Sequence, residues 1–419
     1  MNCLKKIRIQ GFKSIVDQEI EPGQVNVLIG ANGSGKTAML EAIGMLSAAI
    51  SGYVDDESLE RRGVRLGIPQ LYKSSFKDFK ADHISLSIDS GNSDEMWHYS
   101  VELANPNENP ERAWIYQHER LNLNNQLVLQ HTKNKVDIYG AGEIKLQINE
   151  ADKTFEGANT TFSMAVSQTE TASGNVFLEL LRQLKSYAIY APSTPMLCDV
   201  VTDTRTHATR FPLGLSGNRL AQAMQPLIDV ENETYGHLDL DEVLDLLDWI
   251  DSIAVVSPNT DILSPSVSRL QKVLRFTDFL MGKDNNRFTA YDASEGSLYV
   301  FFLLTLAMHP EAPRIFAVEN FDQALNPRLA RALANSFCQA IFGNPRQPMV
   351  FLTTHNPLVL DGIDILDDGV RLFAIDRDST GYTTINRVFV TEELLKKGEQ
   401  GLTLSDLWVM GLLGGVSRL

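Results

Sequence analysis

Cysteine, long apolar runs and basic charge are all scarce in this chain. Its three cysteines, Cys3, Cys198 and Cys338, are too few for a disulfide framework and too far apart for a zinc motif, so a reducing cytoplasm is the expected compartment. The longest apolar runs, near Ala188–Ala191 and Val300–Met308, fall well short of the ~18–20 residues of a membrane span, and no membrane role is expected. The opening MNCLKKIRIQ has no apolar stretch before polar residues return, so neither a secretory signal nor a transit peptide is expected. Lysine and arginine number 37 against 53 acidic residues, a net charge of −16, which argues against a protein that coats nucleic acid through overall charge. The most basic stretch, Arg61, Arg62, Arg65, Lys73, Lys77 and Lys80, reads as a solvated face. No sustained heptad, internal repeat or low-complexity tract is visible, so a long coiled-coil arm is not expected. What remains is globular: 419 residues at 43% hydrophobic content can bury a large core in two to three lobes.

The richest stretch is NVLIGANGSGKTAMLEA, residues 26–42. Val25, Val27, Leu28 and Ile29 form a buried strand, and Ala38-Met39-Leu40-Glu41-Ala42-Ile43 is good helix material. Between them Gly30, Asn32, Gly33, Ser34, Gly35, Lys36 and Thr37 make a phosphate-binding loop. Its three glycines let successive backbone N–H groups turn inward onto an anion, and the following helix adds its positive dipole end. Lys36 is placed to reach the β- and γ-phosphates and Thr37 to hold Mg²⁺.

Around this loop the pattern changes along the chain. Ile7 and Ile9 alternate up to Gly11-Phe12-Lys13, which predicts an edge strand feeding a hairpin toward Val25–Ile29. Residues 84–102 and 113–149 alternate as antiparallel strands do, with polar turns at Asn105-Pro106-Asn107 and Asn124-Asn125-Gln126. Residues 175–186 and 216–250 read as helical, the second including the acidic, leucine-spaced Leu238–Ile250.

Chemistry returns near residue 290. Tyr291-Asp292-Ala293-Ser294-Glu295-Gly296-Ser297 precedes an apolar helix, Leu298–Met308, where a helix cap alone would account for the serine. A strand, Arg314–Val318, ends in Glu319-Asn320-Phe321-Asp322 and is followed by Leu325-Asn326-Pro327 and a helix. Another, Met349–Thr353, ends at Thr354-His355-Asn356-Pro357. Strands delivering polar groups at their carboxyl ends place them where α/β sheets bind ligands.

In this order the pieces resemble the ATP-binding-cassette-type ATPases of the SMC/RecF group, in particular those related to the overcoming-lysogenization-defect proteins of bacterial anti-phage defence. Ile9-Gln10-Gly11-Phe12-Lys13-Ser14 and the phosphate loop are similar to that group's N-terminal hairpin and Walker A, Ala293–Ser297 to its signature motif, and His355 to its switch histidine. The resemblance implies an α/β P-loop NTPase fold: an ABC-type ATPase head over residues 1–50 and 287–395, an inserted strand-rich then helical lobe over 51–286, and a tail over 396–419 that is a candidate docking element. It implies ATP and Mg²⁺ as ligands, with Thr37 and Glu319 at the metal and His355 beside the phosphates. It also implies a homodimer or higher homo-oligomer in which Ser294 and Gly296 contact ATP held by the opposite subunit. The function implied is a switch controlling a separate effector protein, with a DNA-binding repair ATPase of the RecF kind as the alternative and a transporter ATPase third.

One departure from the family matters. Aligning Leu325-Asn326-Pro327 with the family's D-loop puts Glu319 at the Walker B aspartate and Asn320 at the catalytic glutamate. An amide has no useful basicity near neutral pH, so hydrolysis is expected to be slow, unless Glu319 is itself the base or Asp322 substitutes. Asp376-Arg377-Asp378 is similar to a Toprim metal pair but reads as the approach to a hairpin turn. Leu404-Ser405-Asp406-Leu407-Trp408 reads as a short amphipathic element, packed on its own domain or docking a partner. His98 and His237 have no ligand spacing.

Overall fold

The computed structural model describes residues 4–105, 113–132, 135–140, 143–149, 173–199, 213–228, 246–259 and 272–415, with a few more at 162–169 and 262–264. Cys3, His237 and most of Leu238–Ile250 lie outside the described residues. The chain divides into two compact units: Met1–Ile189 with Arg371–Phe389 and Leu413–Leu419, and Tyr190–Val370 with Val390–Leu412.

In the first unit, β1 (Leu4–Phe12), β2 (Ile15–Ile20) and six later strands form an eight-stranded antiparallel sheet in the order β2-β1-β4-β5-β6-β7-β8-β9. Those six are β4 (Ile84–Gly91), β5 (Met96–Ala104), β6 (Ile115–Leu123), β7 (Gln126–Thr132), β8 (Lys135–Gly140) and β9 (Glu143–Asn149). Ile84, Leu86 and Ile88 are buried while Ser85, Ser87 and Asp89 are not, so the period-2 pattern sets which face meets the core. Paired on both sides, by β2 and by β4, β1 is an interior strand; the expectation of an edge strand there is corrected. The hairpin turns back at Lys13, whose φ of 48° lets β2 pair with β1 rather than lead straight into the next strand.

β3 (Val25–Ile29) belongs to a different sheet, beside β16 (Val370–Arg377), which pairs antiparallel with β17 (Thr383–Arg387). Every residue of β3 is buried, including Asn26, whose side chain bonds Gly23 N and Gly23 O at 2.8 and 3.0 Å. The helix it feeds, α1 (Lys36–Ile50), is buried almost all round, packed against β1, β4 and α2 (Ser173–Lys185).

Burial also corrects the reading of two residues in the basic stretch, Arg62 and Lys73. Arg62 is 9% exposed and donates to Ser47 Oγ, Ser51 Oγ and Ser58 O, each at 2.7 Å; burial pushes its pKa down to about 10. Lys73 is buried, and Arg65 joins Lys13 on the fully buried Glu41 carboxylate, at 2.9 and 2.5 Å. Burial alone would raise the Glu41 pKa, but the two cations together leave it below its ordinary value. Arg62 and Lys73 are thus internal, while Arg61, Arg65, Lys77 and Lys80 are exposed, as a solvated face requires.

The chain passes between units at β10 (Ala188–Tyr190). The second unit holds parallel strands β14 (Ile315–Val318) and β15 (Met349–Thr353), and helices α3 (Leu220–Ile228), α4 (Glu295–Met308) and α5 (Pro327–Gly343). It also holds an antiparallel sheet of β11 (Ile250–Val256), β12 (Val273–Asp278) and β13 (Arg287–Thr289). Helix was expected to run through Ile250, but that residue opens β11; the β-branched Ile253, Val255 and Val256 favour the pleated surface. A last helix, α6 (Leu404–Val409), packs on the 3₁₀ turn Pro357–Gly362, where Ser405 donates from N and Oγ to Asp361 at 3.0 and 2.7 Å. Trp408 is buried there, so its ring packs on its own unit. Among the described residues no helix is long and apolar enough to cross a membrane.

Candidate nucleotide site

Each glycine of the phosphate loop has its own reason. Gly33 and Gly35 have φ of 75° and 119°, a region that side chains rarely adopt. Gly30 has an ordinary φ, but a Cβ there would collide with Ile375 O and Ser34 Oγ. The loop therefore lies flush against β16. Lys36 Nζ donates to Gly30 O at 2.6 Å and Ala31 O at 3.0 Å, so the ammonium is held back along the loop. Ser34 Oγ is buried with no hydrogen-bond partner, and Gly35, the residue before α1, offers no side-chain cap. A buried hydroxyl and helix N–H groups lacking a side-chain acceptor fit a multiply charged oxyanion, which would satisfy both.

Local sequence gave no hint of the residues that buttress this loop. Thr383 Oγ1 donates to Ser34 O at 2.7 Å and lies 2.8 Å from Ser14 Oγ. Arg377 Nε donates to Gly33 O at 2.9 Å and its Nη1 to Gly381 O at 3.0 Å, pinning the loop's tip to the β16–β17 turn. Asp376 accepts from Gly415 N at 2.8 Å, and Gly415, at φ 71°, packs so close to Gly30 that a Cβ would sit 3.2 Å from Gly30 Cα. Asp378 accepts from Thr380 N at 2.8 Å and Tyr382 N at 3.0 Å, which is turn chemistry. Both aspartates are thus engaged with backbone N–H groups, as the hairpin-turn reading expects.

The second unit gathers Glu319, Asn320 and His355. Val318 pairs in parallel with Leu352, so both strands end together, and Glu319 N donates to Tyr190 O at 2.8 Å. Asn320 turns the chain at φ 56°, a conformation asparagine tolerates better than glutamate. Its N donates to Thr353 Oγ1 at 2.8 Å, and its carbonyl accepts from Tyr299 OH at 2.7 Å. Asp322 Oδ1 accepts from Thr354 Oγ1 at 2.7 Å and from His355 N at 3.1 Å, fixing the histidine's backbone while its side chain stays exposed.

Ser294 and Gly296 open α4. Ser294 Oγ accepts from Ser297 N at 3.3 Å and lies 2.6 Å from Ser297 Oγ, so it caps the helix. A Cβ on Gly296 would lie 3.0 Å from Ala324 O, which is why the helix can approach the turn after β14 so closely.

A glycine-bound loop between a buried strand and an uncapped buried helix, within a mixed α/β fold, defines a P-loop ATPase domain, the class expected from the sequence. A family model described as an AAA domain matches residues 6–184, and one described as an AAA domain, putative AbiEii toxin, Type IV TA system, matches residues 214–361. The lipoprotein-releasing system ATP-binding protein LolD of Novosphingobium aromaticivorans is 48% identical over 78 residues, 16% of this chain and 34% of that protein. The chain thus spans about a third of the curated relative's length. An SMC head bound to the C-terminal winged-helix domain of ScpA covers 96% of this chain and 100% of its own, at 13% identity and a TM-score of 0.49. The SMC head domain from Thermotoga maritima covers 93% and 100%, at 12% identity and a TM-score of 0.43.

Proposed function

We propose that this chain is a slow ATPase switch of the ABC type. In this reading the loop N–H groups, Lys36 and Ser34 hold the phosphates of ATP, and Thr37 and Glu319 hold Mg²⁺. Mg²⁺ held there would supply charge neutralisation to the phosphates. His355 faces the γ-phosphate from the same protomer, and Ser294 and Gly296 complete the site of a second copy, giving a homodimer or higher homo-oligomer. Asn320 donates or accepts a hydrogen bond to water but takes no proton, so turnover is slow and the ATP-bound pair is long-lived. Residues 51–286 are then an insertion in the ATPase head, and Val409, Met410 and Leu412, exposed on the packed tail, are its candidate docking residues.

The observation that carries this reading is the buried, unpartnered Ser34 hydroxyl beside Lys36 at the start of an uncapped helix. The paired protomers act on a separate effector protein, in anti-phage defence. A family description that names a putative AbiEii toxin of a Type IV TA system supports the defence part of this reading. The DNA-clamp alternative is disfavoured by the net charge of −16, and burial takes Arg62 and Lys73 out of the basic stretch. Light scattering with a non-hydrolysable ATP analogue, on wild type and Ser294→Arg, tests the pairing. A mass that rises with nucleotide in wild type alone supports it; the same rise in both sinks the signature assignment. Phage challenge of cells expressing wild type or Lys36→Ala, each with its neighbouring gene, tests the defence role.

A further inference from the structure

Helix α4 and the turn after β14 touch at two points one helical turn apart. Gly296 approaches Ala324 O, and three residues on, on the same helix face, Tyr299 OH donates to Asn320 O at 2.7 Å. Tyr299 is 1% exposed, so its hydroxyl depends on protein partners. On its other side the same turn is joined to the switch-histidine strand. Asn320 N and Phe321 N bond Thr353 Oγ1 and Thr353 O, each at 2.8 Å, and Asp322 holds His355 N. Residues 319–324 are therefore stapled between the helix that carries the signature and the strand that carries the histidine.

We infer that Tyr299 is a positioning residue that couples the two nucleotide sites of the ATP-bound pair. The inference rests on the switch reading above, in which α4 serves the nucleotide of the second copy while Glu319 and His355 serve their own. A shift of α4 on engaging the neighbour's nucleotide is passed through the Tyr299 hydroxyl to the Asn320 carbonyl. Asn320 holds a left-handed backbone at φ 56° and cannot absorb the shift freely, so it reaches Thr353 and His355. Two sites linked through one hydrogen-bonded turn titrate together rather than independently.

Hydrolysis rate against ATP concentration is measured for wild type, Tyr299→Phe and Thr353→Val, with ATP affinity, ATP-driven mass and thermal melting recorded for each. Tyr299→Phe keeps the ring and removes only the hydroxyl; Thr353→Val keeps the shape and removes the link on the other side of the turn. The expected wild-type Hill coefficient is about 2, falling toward 1 in both variants while affinity and pairing persist. Mixed pairs carrying one Lys36→Ala protomer should run well below half the wild-type rate; with Tyr299→Phe they should run at about half their own parent, the value for independent sites. If Tyr299→Phe melts early, Thr353→Val alone decides the matter. An unchanged Hill coefficient with intact pairing overturns the relay and leaves the switch standing. Wild type that never pairs on ATP overturns the switch and the relay with it.

Discussion

The two helices that begin at the ATPase motifs, α1 and α4, are both deeply buried, yet they start in opposite ways. Gly35 precedes α1 without a side-chain cap, whereas Ser294 caps α4 through Ser297 N. At the first helix no side-chain cap would compete with an anion, and its glycine-shaped loop is held by Thr383 and Arg377. The second is satisfied by its own serine, which in the proposed pair would give up its bonds to Ser297 on reaching the other copy's nucleotide. Loss of a serine cap costs about 1 kcal/mol, a cost that pairing would carry and binding at the first helix would not.

The largest expected effect attacks the first helix. Lys36→Ala removes a charge-assisted contact and should lower ATP affinity by at least ~100-fold in calorimetric titration. An undiminished affinity would contradict the phosphate-loop assignment. Next comes the turn after β14. Asn320→Glu should raise phosphate release by up to ~100-fold if only a base is missing, offset by ~1 kcal/mol of stability for a glutamate at positive φ. Turnover that is brisk in wild type and collapses in Glu319→Gln, with Mg²⁺-ATP still bound, would move the base to Glu319.

A smaller effect lies at the far end of α4. Burial, aided by Arg346, pushes the His309 pKa down to about 4, and its Nδ1 accepts from Glu311 N at 3.1 Å. The folded state therefore resists protonation: stability is full above the unfolded pKa of about 6.5 and falls as pH drops toward 4, by roughly 1–2 kcal/mol at pH 5. His309→Gln should flatten that slope in pH-dependent melts. The smallest effect belongs to the cap itself. Ser294→Ala should cost about 1 kcal/mol in thermal unfolding, while Ser294→Asn should keep the cap and still impair ATP-driven pairing. If Ser294→Asn pairs normally, Ser294 is a cap and nothing more.

What could be read from sequence follows distance along the chain. The phosphate loop was legible because strand, glycines and helix lie within 25 residues of one another, and the alternation of β4 and β5 because period 2 is local. Arg377, Thr383 and Gly415 were not, since they meet the loop across hundreds of residues. Arg62 was misread because charge patterning carries no sign of the three serines that enclose its guanidinium. Asn320 was read as a lost carboxylate; its positive φ adds a backbone reason for the same residue, and only the fold could show it.

The contact between Gly415 and Gly30 also sets an order in time. A ribosome moving at roughly 5–20 residues per second needs on the order of 20–80 s to travel from one to the other. Throughout that interval the loop exists without its last neighbour, and Arg377 and Thr383 arrive almost as late. A growing chain thus carries a recognisable phosphate-loop sequence long before it carries a finished phosphate loop. The finished loop therefore belongs to a chain grown past Gly415, and a shorter nascent chain offers a phosphate only the unbuttressed loop.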